Sequence, residues 1–343
     1  MIVELGADSK LAFAMISHPR LGADAHGARL EDNIVRLILE ATLEENRVVR
    51  AMHAEECFEL RPANGGLAPR YVAVDWLGRI VVSDYENHQI KVFSGEDGSL
   101  LQSIGAAGTE EGQLHMPLGV AVSREGNFVV ADSRNHRLQV FERDGTFVRT
   151  IGCKGDAEGE FQFPMGVAVD RAGNIAVADW GNHRVQLFDS KGAHRRTIGR
   201  EGTGEGELKN PSGVAVDESG SMLVVADGQN HRVQLFGVDG TFQRSIAGSM
   251  GHAEGELVEG ELFGPMGIAL DAAGNIMVGD KSDRVQIFRQ DGTFLRAVGR
   301  NGTGQGELHG PGGVAVDGAG NIVVADCKNR RVQVFASASC DPR

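Results

Sequence analysis

His88, His136, His183 and His231 recur at matched places along the chain, each directly after an asparagine. Imidazoles in register are candidate metal ligands, since zinc and other transition metals favour them. Their spacing argues otherwise. Side chains at equivalent places in successive repeats lie on a ring rather than around one ion, so the expected role is a turn histidine bonded to nearby backbone. Asp84, Asp132, Asp179, Asp227, Asp280 and Asp326 form a second repeated set. A carboxylate suits a turn there because it accepts local backbone N–H bonds. The Gly-rich stretches 202–207 and 302–307 imitate a phosphate-binding loop. Each lies between strand-like runs with no helix after it, so both are expected to be connectors. No Gly-x-Ser-x-Gly elbow is present. Cys57, Cys153, Cys327 and Cys340 show no C-x-x-C spacing and are expected to be reduced structural thiols. No cofactor and no metal site are expected.

The elements that hold these residues are short strands. Residues 166–188 contain three apolar or β-branched runs, 167–169, 175–178 and 185–188, separated by turn clusters at 170–174 and 179–182. Such runs bounded by Gly, Asn and Asp describe an antiparallel meander. A fourth strand follows an Asp-Gly turn, as in 144–151 and 291–298. The unit recurs with a proline two residues before its first glycine, at Pro117, Pro164, Pro211, Pro265 and Pro311, with a variant at Pro69. Most anchors are 46 to 48 residues apart, and the fourth unit is longer. Four antiparallel strands (a to d) at this period make one propeller blade. The expected fold is therefore all-β, a six-bladed β-propeller over residues 57–343.

The sixth unit stops after its third strand at Phe335. Its outer strand must come from before Pro69, where 47–52 and 57–60 are β-compatible. One of these is expected to pair beside 331–335, removing an open edge at a loop-closure cost that grows slowly with length. Residues 1–56 are of different character. Leu30, Ile34, Leu37, Ile38, Thr42, Leu43 and Val48 fall mostly at three- and four-residue spacing, which predicts a small N-terminal helical segment.

Glycine, at 48 residues, supplies the many turns, and the formal net charge of −13 disfavours a nucleic-acid surface. No basic leader with a long apolar stretch and no membrane-length run is visible. A cytoplasmic monomer is the expectation.

The 320–335 segment, Gly-Asn-Ile-Val-Val-Ala-Asp-x-x-Asn-x-Arg-Val-Gln-Val-Phe, and Asn-His-Arg at 135–137, 182–184 and 230–232 resemble NHL repeats. The resemblance covers about residues 69–335 in six copies. The fifth departs at Ser282-Asp283-Arg284, one residue short and without histidine, and the sixth has Arg330 in the histidine's place. The resemblance implies a protein-interaction module. Some such propellers select substrates for tripartite-motif or malin-like ubiquitin ligases, and a few bind single-stranded RNA. No RING or B-box cysteine pattern accompanies this one. The related peptidyl-amidoglycolate lyases hold zinc with histidines after the blade-opening proline. Those slots here are Arg70, Leu118, Met165, Ser212, Met266 and Gly312, so that activity is not expected.

In a propeller the d-to-a crossings share a face with the b–c turns. The crossings carry Glu110, Glu111, Asp156, Glu158, Glu160, Glu201, Glu205, Glu207, Glu254, Glu256, Glu259, Glu261 and Glu307; the turns carry arginines and lysines. A face of both signs favours a protein or peptide ligand over RNA. The expected function is thus non-enzymatic binding of a protein partner, with Arg134, Arg137, Arg184, Arg232, Arg284 and Arg331 as binding residues. Single-stranded RNA binding and a metal-assisted lyase or hydrolase in the central channel are the alternatives.

Overall fold

The computed structural model describes residues 58–60, 66–217, 219–247 and 258–337. The chain divides into two compact units, 1–55 and 56–343, and every described residue belongs to the second. The expected N-terminal helical segment and the candidate strand 47–52 lie outside the described residues, as do Glu254 and Glu256.

The described chain forms six four-stranded antiparallel sheets, the blades of a six-bladed propeller. Blade 3 shows the plan: strand a is Pro164–Val169, b is Ile175–Asp179, c is Arg184–Phe188 and d is His194–Ile198. Strands b and c of every blade are buried from end to end or nearly so, while strand d is half-exposed. This follows from position. The middle strands are sandwiched between neighbouring blades, so both faces are apolar, whereas the outer strand meets water. Apolar clusters fill the space between blades. One joins Val129, Leu138 and Phe161 of the blade 2 side to Val167, Ile175 and Phe188 of blade 3.

The sixth blade has strands Pro311–Val316, Ile322–Asp326 and Arg331–Phe335, and its outer strand is Phe58–Leu60. That strand runs antiparallel to 331–335, pairing Glu59 with Gln333 and Leu60 with Val332. The ring closes by joining the two ends of the propeller. Of the two candidate segments, the one at 57–60 therefore makes this pairing.

Along the axis the inner strands touch backbone to backbone. The Gly119 N–H donates to the Met165 carbonyl at 2.9 Å and Gly267 to Gly312 at 3.0 Å. A Cβ on Gly313 would stand 2.6 Å from Tyr71 Cα, so the glycine of each Pro-x-Gly permits the approach. Among the described residues no helix is long and apolar enough to cross a membrane.

Candidate functional site

The b–c turns and the d-to-a crossings do share one face, and a repeated network locks them together. In blade 3 the Asp179 carboxylate is fully buried. Its Oδ1 accepts the Gln162 N–H of the crossing at 2.7 Å. Its Oδ2 accepts from Asn182 Nδ2 at 2.9 Å, Arg184 Nε at 2.8 Å and Gln186 Nε2 at 3.1 Å. Arg184 Nη2 reaches back to the carbonyls of Ala157 (2.6 Å) and Glu160 (2.9 Å). Gln186 donates to the same Glu160 carbonyl and accepts the Gly159 N–H. One acid thus collects donors from three elements, and its arginine satisfies carbonyls that no strand could reach. Burial pushes the Asp179 and Asp280 carboxyls above the ordinary aspartate range, opposed by these bonds.

The network places five of the six arginines expected to bind a partner. Arg137, Arg184, Arg232, Arg284 and Arg331 are each paired with the buried aspartate of their own blade, at 2.7 to 3.4 Å. Their side chains are only 12, 11, 11, 8 and 2% exposed. They bolt the face together from within. Arg134 differs: it is exposed, and its guanidinium lies over the Phe163 ring at 5.5 Å. Blade 1 has no arginine here, and Lys91 meets Asp84 at 2.7 Å instead.

The matched histidines join one blade to the next. Nδ1 of His88, His136, His183 and His231 accepts the N–H of Met116, Phe163, Asn210 and Gly264 respectively, at 3.0 to 3.2 Å. Each of those partners precedes a blade-opening proline. With Nδ1 accepting, the ring proton sits on Nε2. The two departures have substitutes. Asp283 Oδ1 accepts the Gly310 N–H at 2.6 Å, and Arg330 pairs with Glu86 of blade 1. The ring is latched at all six joints.

The centre of the face is apolar and is built largely from two repeat slots, the residue after the blade-opening proline (Leu118, Met165, Met266) and the residue after the buried aspartate (Tyr85, Trp180). Tyr71, Leu118 and Met165 form a buried cluster over the axis, with Tyr85, Trp180 and Met266 half-buried against it. Tyr71 Oη crosses the ring from blade 1 and donates to the Ser212 carbonyl of blade 4 at 2.6 Å. Burial pushes its hydroxyl well above the usual tyrosine range. On the b–c turns of the same face Arg134 and Lys281 are exposed and without an ion pair among the described residues. Farther out, Glu110, Glu111, Asp156, Glu158, Glu201, Glu205 and Glu259 are exposed on the crossings. Among the described residues no group of three or more His, Cys, Asp or Glu side chains could hold a metal ion.

The NHL repeat family matches residues 68–93, 114–141, 161–188 and 308–335. No curated protein matches the chain in sequence. Several solved structures share the fold. Virginiamycin B lyase from Staphylococcus aureus is 12% identical with a TM-score of 0.58, over 81% of this chain and 98% of that one. A gluconolactonase from Xanthomonas campestris is 16% identical with a TM-score of 0.58, over 83% and 91%. A chain of a nidogen/laminin complex is 19% identical with a TM-score of 0.53, over 68% and 80%. At these identities the likeness is one of fold, and it spans catalysts and a protein-binding module alike. With NHL repeats matched in four of its six blades, the chain is an NHL-repeat six-bladed β-propeller.

Proposed function

We propose that the chain is a non-enzymatic interaction module that binds a protein or peptide on the b–c face. The observation that carries this is the half-buried Tyr85–Trp180–Met266 cluster at the centre of an otherwise polar face. Aromatic and methionine side chains surrounded by polar groups are the composition of binding hot spots. Arg134 and Lys281 on the same face have no carboxylate partner among the described residues, so the favoured ligand segment is a large apolar side chain flanked by Asp or Glu. The acidic outer rim would repel other acids and so confine such a segment to the centre. A substrate-selecting role in a ubiquitin-ligase pathway would use the face in this way.

Single-stranded RNA is the second reading, since aromatic rings beside cations can stack bases. The rim of carboxylates and the net charge of −13 weigh against it. The test is selection from a random peptide library, with binding then measured against Trp180→Ala and Arg134→Glu. Acid-flanked aromatic peptides that lose about tenfold or more in affinity with either variant support the reading. Binders indifferent to both variants, or tight salt-sensitive binding of single-stranded RNA, would sink it.

A further inference from the structure

The opposite face, built from the a–b and c–d turns, carries a cleft of about 340 Å3 between blades 3 and 4. Ile175, Phe188 and Leu223 form its floor, Met222 and Val238 one lip, and Arg196 another part of the rim.

Three departures from the repeat coincide there. The position of Met222 is asparagine in four other blades, Asn127, Asn174, Asn275 and Asn321. The a–b turn of blade 4 is also one residue longer, and Met222 pairs with Gly237 rather than lying in the turn. The position of Val238 is Arg143, Ser190 or Gln290 in blades 2, 3 and 5, yet this valine is 43% exposed. Two polar positions have become apolar on one rim, against the ordinary economy of a solvent-facing turn.

The third departure is electrostatic. In blade 2 Arg149 donates to the Ser190 carbonyl of the next blade, and in blade 4 Arg244 donates to the Asp291 carbonyl. Arg196 occupies the same place in blade 3, but its exposed side chain makes no hydrogen bond or ion pair among the described residues, although its charge adds to the hydrogen bonds that hold the Asp239 carboxyl of blade 4 below the ordinary aspartate range. Its neighbour Arg195 is paired with Asp189 at 2.6 Å. Asp170, on the facing rim, is satisfied by its own turn through Ala172 and Asn174. The cleft therefore joins an apolar floor to an exposed guanidinium with no hydrogen-bonded partner among the described residues.

We propose that the cleft between blades 3 and 4 binds a small amphiphilic carboxylate, its apolar body on Ile175, Phe188 and Leu223 and its carboxylate on Arg196. The volume is at the small end for ligand sites and suits about ten to twelve non-hydrogen atoms, at roughly 30 Å3 for each water-sized group. A guanidinium at the rim selects a carboxylate through charge-assisted bonds.

Decanoate is the probe, titrated into the full chain by calorimetry and followed by ligand-detected NMR, with decanol and decylammonium as controls. Saturable binding with a dissociation constant on the order of 1 mM is expected for a ligand of this size. Arg196→Glu should weaken it about tenfold or more, and Arg196→Lys should retain most of it. Val238→Asp should abolish it, while both variants keep the native circular dichroism spectrum. The proposal is overturned by absence of saturable binding, by decanol or decylammonium binding as well as decanoate, or by equal binding in Arg196→Glu. Because this site is on the other face, its failure leaves the peptide-binding reading of Trp180 untouched.

Discussion

A histidine that accepts a backbone bond is a latch only while it is neutral. His231 lies at φ 54° with its ring stacked on Phe263, centroids 5.1 Å apart, and its Nδ1 holds the Gly264 N–H. Burial first, then Lys281, pushes its pKa below the ordinary histidine value; burial first, then Lys154 and Arg134, does the same for His136. A depressed folded pKa gives stability that is complete above the unfolded value near 6.5 and lost as pH falls through the folded value. Acid therefore opens these joints, since a protonated Nδ1 can no longer accept. The urea midpoint should fall as pH drops from about 7.5 to 5, and His231→Asn should flatten that fall. Asparagine tolerates the positive φ, and Asp283 reaches the Gly310 N–H from the matched place with a side chain of the same length, so the variant replaces a titrating acceptor with one that does not titrate and should cost about 1 kcal/mol or less at neutral pH. An unchanged pH slope in the His136, His231 double asparagine variant would remove the latch from this account.

At the scale of elements the closing strand is among the shortest described, three residues with Leu60 fully buried. Leu60 packs with Leu67, Val332 and Val334, and a Cβ on Gly98 of blade 1 would lie 2.6 Å from its side chain. Glu59 adds a bond to Arg331 at 2.7 Å, the one repeat arginine that also serves the ring closure. Leu60→Ala should cost about 2–5 kcal/mol, and Leu60→Asp should release the strand and expose the edge at 331–335. Differential scanning calorimetry and light scattering check this: lower thermal midpoints with concentration-dependent association are expected. The need for this strand was legible because blade counting is local, and a unit that stops at Phe335 lacks its fourth strand whatever it packs on. The fate of the arginines was not. Arg184 reads from sequence as a turn residue but opens strand c, and the carbonyls it caps belong to a crossing 24 to 27 residues earlier. The glutamine two residues after each repeat arginine, buried in every strand c from blade 2 onward, was the available signal. A polar residue repeated inside an apolar strand needs a partner, and that partner had to be the buried aspartate.

The whole molecule is a ring sealed at its axis, and the seal depends on a contact between residues 141 positions apart. Pro-Arg-Tyr at the first blade and Pro-Ser-Gly at the fourth give no hint that Tyr71 and Ser212 meet. Periodicity places them in opposite blades but leaves side-chain reach to packing. Cys327 reports on the seal. Its Sγ lies 3.9 Å from the Arg70 carbonyl, and burial pushes the thiol pKa up, so little thiolate is present to react. Cys153 is exposed. In the native chain a thiol reagent at neutral pH should label Cys153 fast and Cys327 slowly, as read by peptide mass mapping. Tyr71→Phe keeps the ring in place and removes one bond, so it should cost about 1 kcal/mol and leave Cys327 slow. Tyr71→Ala empties the axis, at about 3–5 kcal/mol, and should speed Cys327 labelling about tenfold or more. Equal slow labelling in Tyr71→Ala would mean that the glycine-mediated contact of the inner strands seals the ring without the tyrosine. The two variants therefore separate a bond across the axis from the volume that fills it.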